Sequence, residues 1–290
     1  MNPQVLVLGA SGYIGGRLCQ EMAAEAIGTY RHKPVFGGLH FDAVSMDLSG
    51  LLDDYPTIQT AVIGYAQSNL DLCRREEALS REINVCSTRR VIDLLKERSI
   101  KTIFLSSDCV FDGKKGDYIE EDAANPINLY GKHKIEIEHY LRENAPDSLI
   151  LRLPKVFGTD IDDGKILSSW ISQMQKGGTI RCASDQRFSP LDIRDIVASL
   201  RAAIRSNLSG VYHVANTRSC TWAELFLTLA KSLHKKPKFE ECSIGDFNTL
   251  EPRPLNISMN PSKFLKTTNL KFRTLESCCD EIADKISFNK

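Results

Sequence analysis

Four apolar residues, Val5 to Leu8, run directly into Gly9-Ala-Ser-Gly12-Tyr-Ile-Gly15, and an amphipathic segment from Tyr13 to Ala24 follows at once. No other stretch restricts the fold so tightly. A buried strand, a turn made of glycines and the first turn of a helix form one unit, in which glycines let the backbone turn sharply and approach a pyrophosphate. The helix N-terminus then offers unpaired N–H groups to that negative charge. The spacing is G-x-x-G-x-x-G rather than G-x-G-x-x-G, so its meaning comes from the strand before it and the helix after it. Gly9, Ser11, Gly12, Tyr13, Ile14 and Gly15 are the residues this reading gives to a dinucleotide.

The alternation continues for two-thirds of the chain, with strands expected at Gln4 to Leu8, Ala26 to Tyr30, Ala43 to Met46, Ala61 to Gly64, Thr102 to Ser106 and Leu149 to Leu153. Several are nearly continuous in apolar residues, as strands buried on both faces are. Helices are expected at Tyr13 to Ala24, Leu72 to Arg98 and Leu129 to Asn144, where Ala78, Ile83, Val85, Val91, Leu94 and Leu95 give the second its three-and-four spacing. Strand-helix alternation of this kind makes a parallel α/β sheet. After Leu153 the pattern changes to glycine-containing loops, helices near Ile193 to Arg205 and Thr221 to Leu233, a proline-punctuated tail and two short helices, which reads as a smaller C-terminal lobe.

Composition removes several classes of function. The 37 Lys and Arg balance 37 Asp and Glu in a chain of 290 residues, so no global positive field collects nucleic acid. No apolar run approaches the roughly 20 residues of a membrane span. The start, MNPQVLVLGA, has no secretory pattern, and the expected location is the cytoplasm. Nine cysteines, an odd number without Cys-x-x-Cys spacing, read as reduced core-filling thiols, Cys19, Cys86, Cys109, Cys278 and Cys279 among them. The six histidines show no ligand spacing, no metal is assigned, and His133 reads as an exposed helix residue.

At the end of the second strand the chain reads Thr29-Tyr30-Arg31-His32-Lys33, with no carboxylate to meet ribose hydroxyls. Arg31 or Lys33 would instead pair with a 2′-phosphate, which favours NADPH, with NADH as the second choice. Asp47 and Leu48 are expected to frame the adenine. Further on, Ser106-Ser107-Asp108 ends a strand and Tyr130-Gly-Lys-His-Lys134 opens a helix. Positions i and i+4 share a helix face, so Tyr130 and Lys134 point into one cleft. The ammonium is expected to lower the phenol's pKa, and Ser107 to donate to the same substrate oxygen.

These residues resemble the extended short-chain dehydrogenase/reductases, specifically the dTDP-4-dehydrorhamnose reductase branch, along nearly the whole chain. The likeness runs through the glycine loop, SSDCVFDGKKGDYIEEDAANPINLYGKHK, RLPKVFG, SDQRFSPLDIRDI and RPLNISMNPSKF. It implies a Rossmann-type doubly wound parallel sheet over residues 1–155, with 191–215 returning to it, and a substrate lobe of 156–190 and 216–290. It further implies Ser107, Tyr130 and Lys134 as the catalytic Ser, Tyr and Lys. Gly64, Tyr65, Ala66 and Ser106 would lie beside the cofactor, Asn84 would support the site, and Asp108, Val110, Phe111, Lys155, Arg187 and Arg253 would face substrate. The implied activity is NADPH-dependent reduction of a nucleotide-linked 4-keto-6-deoxy sugar, and a homodimer is one assembly the resemblance allows. Two segments depart from the branch: Lys155 in RLPKVFG stands where it usually has an aromatic residue, and Gln186-Arg187-Phe188 precedes Ser189-Pro190. These departures, particularly Pro154 in RLPKVFG and the QRF before Ser189-Pro190, resemble the regulatory β subunit of methionine adenosyltransferase, which implies the alternative of an NADP-binding interaction subunit without turnover.

Overall fold

The computed structural model describes residues 2–288, so Met1, Asn289 and Lys290, at the ends of the expected ranges, lie outside the described residues. The chain opens with β1 (Val5–Leu8), α1 (Tyr13–Met22), β2 (Ala26–Tyr30), β3 (Leu39–His40), α2 (Ser49–Asp54) and β4 (Thr60–Ile63). Next come α3 (Leu70–Arg75), α4 (Glu77–Arg81), a π-helical turn at Glu82–Cys86, α5 (Ser87–Glu97), β5 (Lys101–Ser107), α6 (Leu129–Asn144) and β6 (Leu149–Leu153). The remainder comprises β7 (Val156–Phe157), α7 (Ile166–Gln175), β8 (Ile180–Ala183), β9 (Arg187–Phe188), β10 (Leu191–Asp192), α8 (Ile193–Arg205) and β11 (Gly210–His213). It ends with β12 (Cys220–Thr221), α9 (Trp222–Ser232), β13 (Phe239–Cys242), α10 (Ser262–Thr268) and α11 (Leu275–Phe288).

Seven strands form one sheet in the order β11-β6-β5-β4-β1-β2-β3, with every neighbouring pair parallel. The period of two along each strand sorts side chains to the two faces. Val5 and Val7 join Leu18 and Met22 of α1 and Ile196 and Leu200 of α8 on one side, while Leu6 and Leu8 join Val91, Ile92 and Leu95 of α5 and Ile137 and Leu141 of α6 on the other. This is a Rossmann-type fold. A third core, with Phe157, Trp170, Phe188, Phe226, Cys278 and Ile282, belongs to the segments outside the sheet. Among the described residues no helix is long and apolar enough to cross a membrane.

Two expected elements differ. Residues 43–46 are not a strand: the Ser45 and Met46 amides both turn back to the Asp42 carbonyl, at 3.1 and 2.8 Å, and the edge strand is the earlier β3. The expected helix from Leu72 to Arg98 starts at Leu70, because Asn69 caps it by accepting from the Leu72 amide, and it breaks at Glu76. The π-helical turn then rotates Asn84 toward the loop after β4, where its Oδ1 accepts from the Gln67 amide at 2.8 Å and its Nδ2 donates to the Gln67 carbonyl at 3.0 Å. Hydrophobic periodicity carries no record of that local pull, which rests on the two hydrogen bonds to Gln67.

Candidate active site

In an open parallel sheet, ligands bind beyond the carboxyl ends of the strands where the strand order reverses. Here that point lies between β1 and β4. Gly9, at φ +96°, leaves β1 toward the Tyr65 backbone, where a Cβ would come within 2.8 Å of the Tyr65 nitrogen. At Gly15 a Cβ would stand 2.5 Å from the Gly9 carbonyl oxygen, so the first turn of α1 packs directly on the loop. α1 begins with no capping side chain and no acidic residue in its first turn. Its free N–H groups fit a pyrophosphate and would not be repelled by one of their own carboxylates.

An open cleft of about 190 Å³ adjoins this turn, lined by Gly9, Ser11, Thr29 to Arg31, Phe41 to Val44, Tyr65 to Gln67 and Ile83. The structure thus brings Gly9, Ser11, Arg31, Tyr65 and Ala66 together as expected, and it fits the adenosine half of a dinucleotide. Gly64 adjoins the lining, its amide bonded to the Leu8 carbonyl at 2.9 Å. The residues on the β3 side are others than Asp47 and Leu48. Leu48 is buried in the core, and the Asp47 carboxylate turns to the Ser49 amide and hydroxyl, at 3.0 and 2.7 Å. Phe41 to Val44 take their place, because β3 ends sooner than expected. Lys33 is exposed and absent from the lining, whereas Arg31 bonds Asp42 there. Tyr13 points away from this cleft and donates to Asp163 at 2.8 Å, while Ile14 packs against the core under α1.

The second cluster lies at the ends of β5 and the start of α6. Asn128 caps α6 by accepting from the Gly131 amide at 2.8 Å, which sets the phase of Tyr130 and Lys134. Lys134 is buried: its Nζ donates to the Leu105 carbonyl at 2.6 Å and lies 4.5 Å from the Phe104 ring centre and 5.5 Å from that of Tyr130. Burial lowers its pKa to about 8, with the Glu138 charge opposing the fall. The expected depression of the Tyr130 pKa does not occur. Enclosure by protein pushes the phenol up, the neighbouring Cys109 and Asp108 add to the rise, and the hydrogen-bonding Ser107 only opposes it. Tyr130 is therefore a protonated phenol at neutral pH. Ser107 donates to Asp108 at 2.9 Å, and burial raises that carboxyl to about 6, partly opposed by Lys155 nearby.

Behind Lys134 stands a buried group that the residue types alone did not announce. Glu138, one turn beyond Lys134, accepts from Ser106 Oγ at 2.6 Å and from Arg152 at 3.0 Å (Nε) and 2.7 Å (Nη2). His213, held neutral by burial and by Arg152 at a pKa of about 3, spans the Arg152 Nη1 and the Tyr118 carbonyl. The Ser106 side chain thus serves this group and not the cleft. The i, i+4 spacing of Lys134 and Glu138 was the available signal. His133, expected to be exposed, is buried at 2% and meets Asn84 at 3.3 Å; burial, followed by Arg81, lowers its pKa. It sits on the inner face of α6 because it lies one turn before the buried Ile137 and two before Leu141.

Of the residues expected at substrate, Asp108 accepts from Ser107 and feels the charge of the exposed Lys155, and Arg253 bonds Asp71 at 2.9 Å while its charge reaches Cys109. Val110 and Phe111 do not face the cleft. Both are fully enclosed, and Phe111 stacks on Tyr118 at 4.0 Å with Arg152 above it. Arg187 is engaged by the Ser219 carbonyl and by Glu224 at 2.8 Å.

A parallel sheet with a glycine turn at its switch point and a Ser–Tyr–Lys cluster across the same edge defines an oxidoreductase of the extended short-chain dehydrogenase/reductase type. More narrowly, the chain belongs to the RmlD substrate binding domain family, whose model matches residues 3–288. It is similar to a probable low-salt glycan biosynthesis reductase, Agl14, from Haloferax volcanii (29% identical over 226 residues, 74% of this chain and 75% of the relative). It is equally similar to the methionine adenosyltransferase 2 subunit beta of Danio rerio (29% over 250 residues, 80% and 74%). A hypothetical dTDP-4-dehydrorhamnose reductase from Sulfolobus tokodaii superposes with a TM-score of 0.85 at 25% identity, covering 96% of this chain and 98% of that one. The fold is also that of the Bacillus anthracis dTDP-4-dehydrorhamnose reductase solved with NADP (TM-score 0.86, 22% identity, 98% and 100% covered).

Proposed function

We propose that this protein is an NADPH-dependent reductase of a nucleotide-linked 4-keto-6-deoxy sugar. The observation that carries the reading is the half-buried Tyr130 phenol set beside the buried Ser107, with the buried Lys134 ammonium 5.5 Å from its ring centre. A reduced nicotinamide, when bound, supplies hydride. Tyr130 holds the proton that a carbonyl oxygen takes up as it is reduced, Ser107 orients that oxygen, and Lys134 would hold the nicotinamide ribose while its charge stabilises the phenolate left behind. Ser11, Gly12 and the start of α1 would hold the pyrophosphate, and the cleft at Arg31 the adenosine. Asp108, Lys155 and Arg253 are assigned to substrate. The division of labour assigned is 1–155 with 191–215 for cofactor, and 156–190 with 216–290 for sugar nucleotide, in the cytoplasm.

The similarity to methionine adenosyltransferase β subunits supports a second reading, an NADP-binding subunit that acts by contact. One experiment separates the two: NADPH oxidation with dTDP-, UDP-, GDP- and CDP-linked 4-keto-6-deoxy sugars, with Tyr130→Phe as control. Turnover with one nucleotide, lost in the control, is the expected result. NADPH binding without turnover on any of them would overturn the reductase reading.

A further inference from the structure

The adenosine cleft closes on an ion pair that the linear sequence hides. Arg31 follows β2 directly, and Asp42 comes two residues after β3. Because these strands pair in parallel, Thr29 with Leu39 and Tyr30 with His40, the residues beyond them meet at one edge. Arg31 Nε donates to Asp42 Oδ2 at 2.9 Å, which leaves its two terminal nitrogens for another acceptor. The carboxylate is fixed from its other side, since Oδ1 accepts from the Val44 amide at 3.0 Å. Although burial favours its neutral form, the Val44 amide and Arg31 together hold the carboxyl below the usual carboxylate range. Both residues line the cleft with Thr29 and Tyr30, where the ribose of a bound dinucleotide lies over the end of β2.

A carboxylate at this point accepts from ribose hydroxyls and repels a 2′-phosphate; a guanidinium does the reverse. This site carries one of each, in contact. We infer that Asp42 is the residue that sets the choice between phosphorylated and unphosphorylated nicotinamide dinucleotide, by opposing the attraction of Arg31 for the 2′-phosphate. The inference rests on the proposed function only in assuming that the chain binds such a dinucleotide. Asp42 is therefore expected to hold the wild-type preference for NADPH over NADH below what Arg31 alone would give.

The test is direct binding to the cofactor-free protein, by calorimetry or by quenching of protein fluorescence, with NADPH and NADH. The fragments 2′,5′-ADP and 5′-AMP isolate the adenosine end. Asp42→Asn retains Oδ1 for the Val44 amide, removes the charge and puts an NH₂ donor where Oδ2 accepted from Arg31, so it releases the guanidinium as well. It is expected to raise the NADPH-to-NADH affinity ratio at least about tenfold, with the same shift for the fragment pair, and Arg31→Ala to lower that ratio by a similar factor. An unchanged ratio in both Asp42→Asn and Asp42→Ala, with dinucleotide still bound, overturns the inference alone. Binding of neither dinucleotide to the wild type overturns the function on which it rests and the inference with it.

Discussion

Removing the charge of Glu138 without changing its shape tests the buried group behind the active site. In Glu138→Gln, an amide NH₂ replaces a carboxylate oxygen that now accepts from Ser106 or Arg152, so at least one donor faces a donor. The Arg152 guanidinium, 1% exposed, is left between Phe111 and a neutral His213 without a counter-charge. Breaking one side of a buried pair costs about 3–5 kcal/mol. At about 2–4 °C per kcal/mol for chains somewhat smaller than this one, the melting temperature falls by about 6–20 °C. Urea titrations followed by circular dichroism give the free energy, and thermal melts the shift. The paired variant Glu138→Leu/Arg152→Met, which removes both charges at similar volume, should regain most of the loss, because such replacements are often near neutral. It should also let His213 titrate nearer its ordinary value, visible by NMR, since the Arg152 charge no longer opposes its protonation. A loss below about 1 kcal/mol in Glu138→Gln, or a paired variant no more stable than the single one, would refute the account of a buried charge needing its partner.

Four further outcomes are expected. Tyr130→Phe should lower turnover by about 10²–10⁴, the usual worth of a positioned acid, with NADPH affinity unchanged in a direct titration. Loss of the Lys134 proton should reduce kcat/KM as pH rises through about 8: its folded pKa is lowered from 10.5, so the ammonium is present below that value and absent above it. Glu138→Gln should shift that inflection to lower pH, because it removes a charge that favours the ammonium. In Gly15→Ala the new methyl meets the Gly9 carbonyl at 2.5 Å, so dinucleotide affinity measured by calorimetry should drop by about tenfold or more (about 1.4 kcal/mol) while the far-ultraviolet spectrum stays native.

The sheet was readable because burial on both faces leaves apolar runs, unbroken in Val5 to Leu8 and interrupted by Arg152 alone in Leu149 to Leu153, and because Gly9 and Gly15 stand where only a bare backbone fits. Tyr130 and Lys134 were readable from one turn of helix. What escaped depends on contacts far apart in sequence. Asp42 reaches Arg31 only through the pairing of β2 with β3, and nothing in Thr29 to Lys33 announces it. Val110 and Phe111 share a motif with Asp108 yet point into the core, because Phe111 finds Tyr118 and Arg152 there. The Tyr130 pKa went the other way for a related reason: the helical spacing shows the ammonium but not the protein that encloses the phenol.

The order of the strands bears on synthesis. The edge strand β11 pairs with β6, yet between them in sequence lie β7, α7, β8, β9, β10 and α8, and the core outside the sheet draws on Val110 and Phe111 at one end and Ile282 at the other. A ribosome therefore releases the last strand of the sheet only after much of the second core has emerged, and that core stays incomplete until α11 follows. Neither half has a point at which it is finished first. A nascent chain paused near residue 155 would expose the β6 edge to any extended segment within reach, so chaperone retention during that interval should be strong and should fall once residue 213 has cleared the exit.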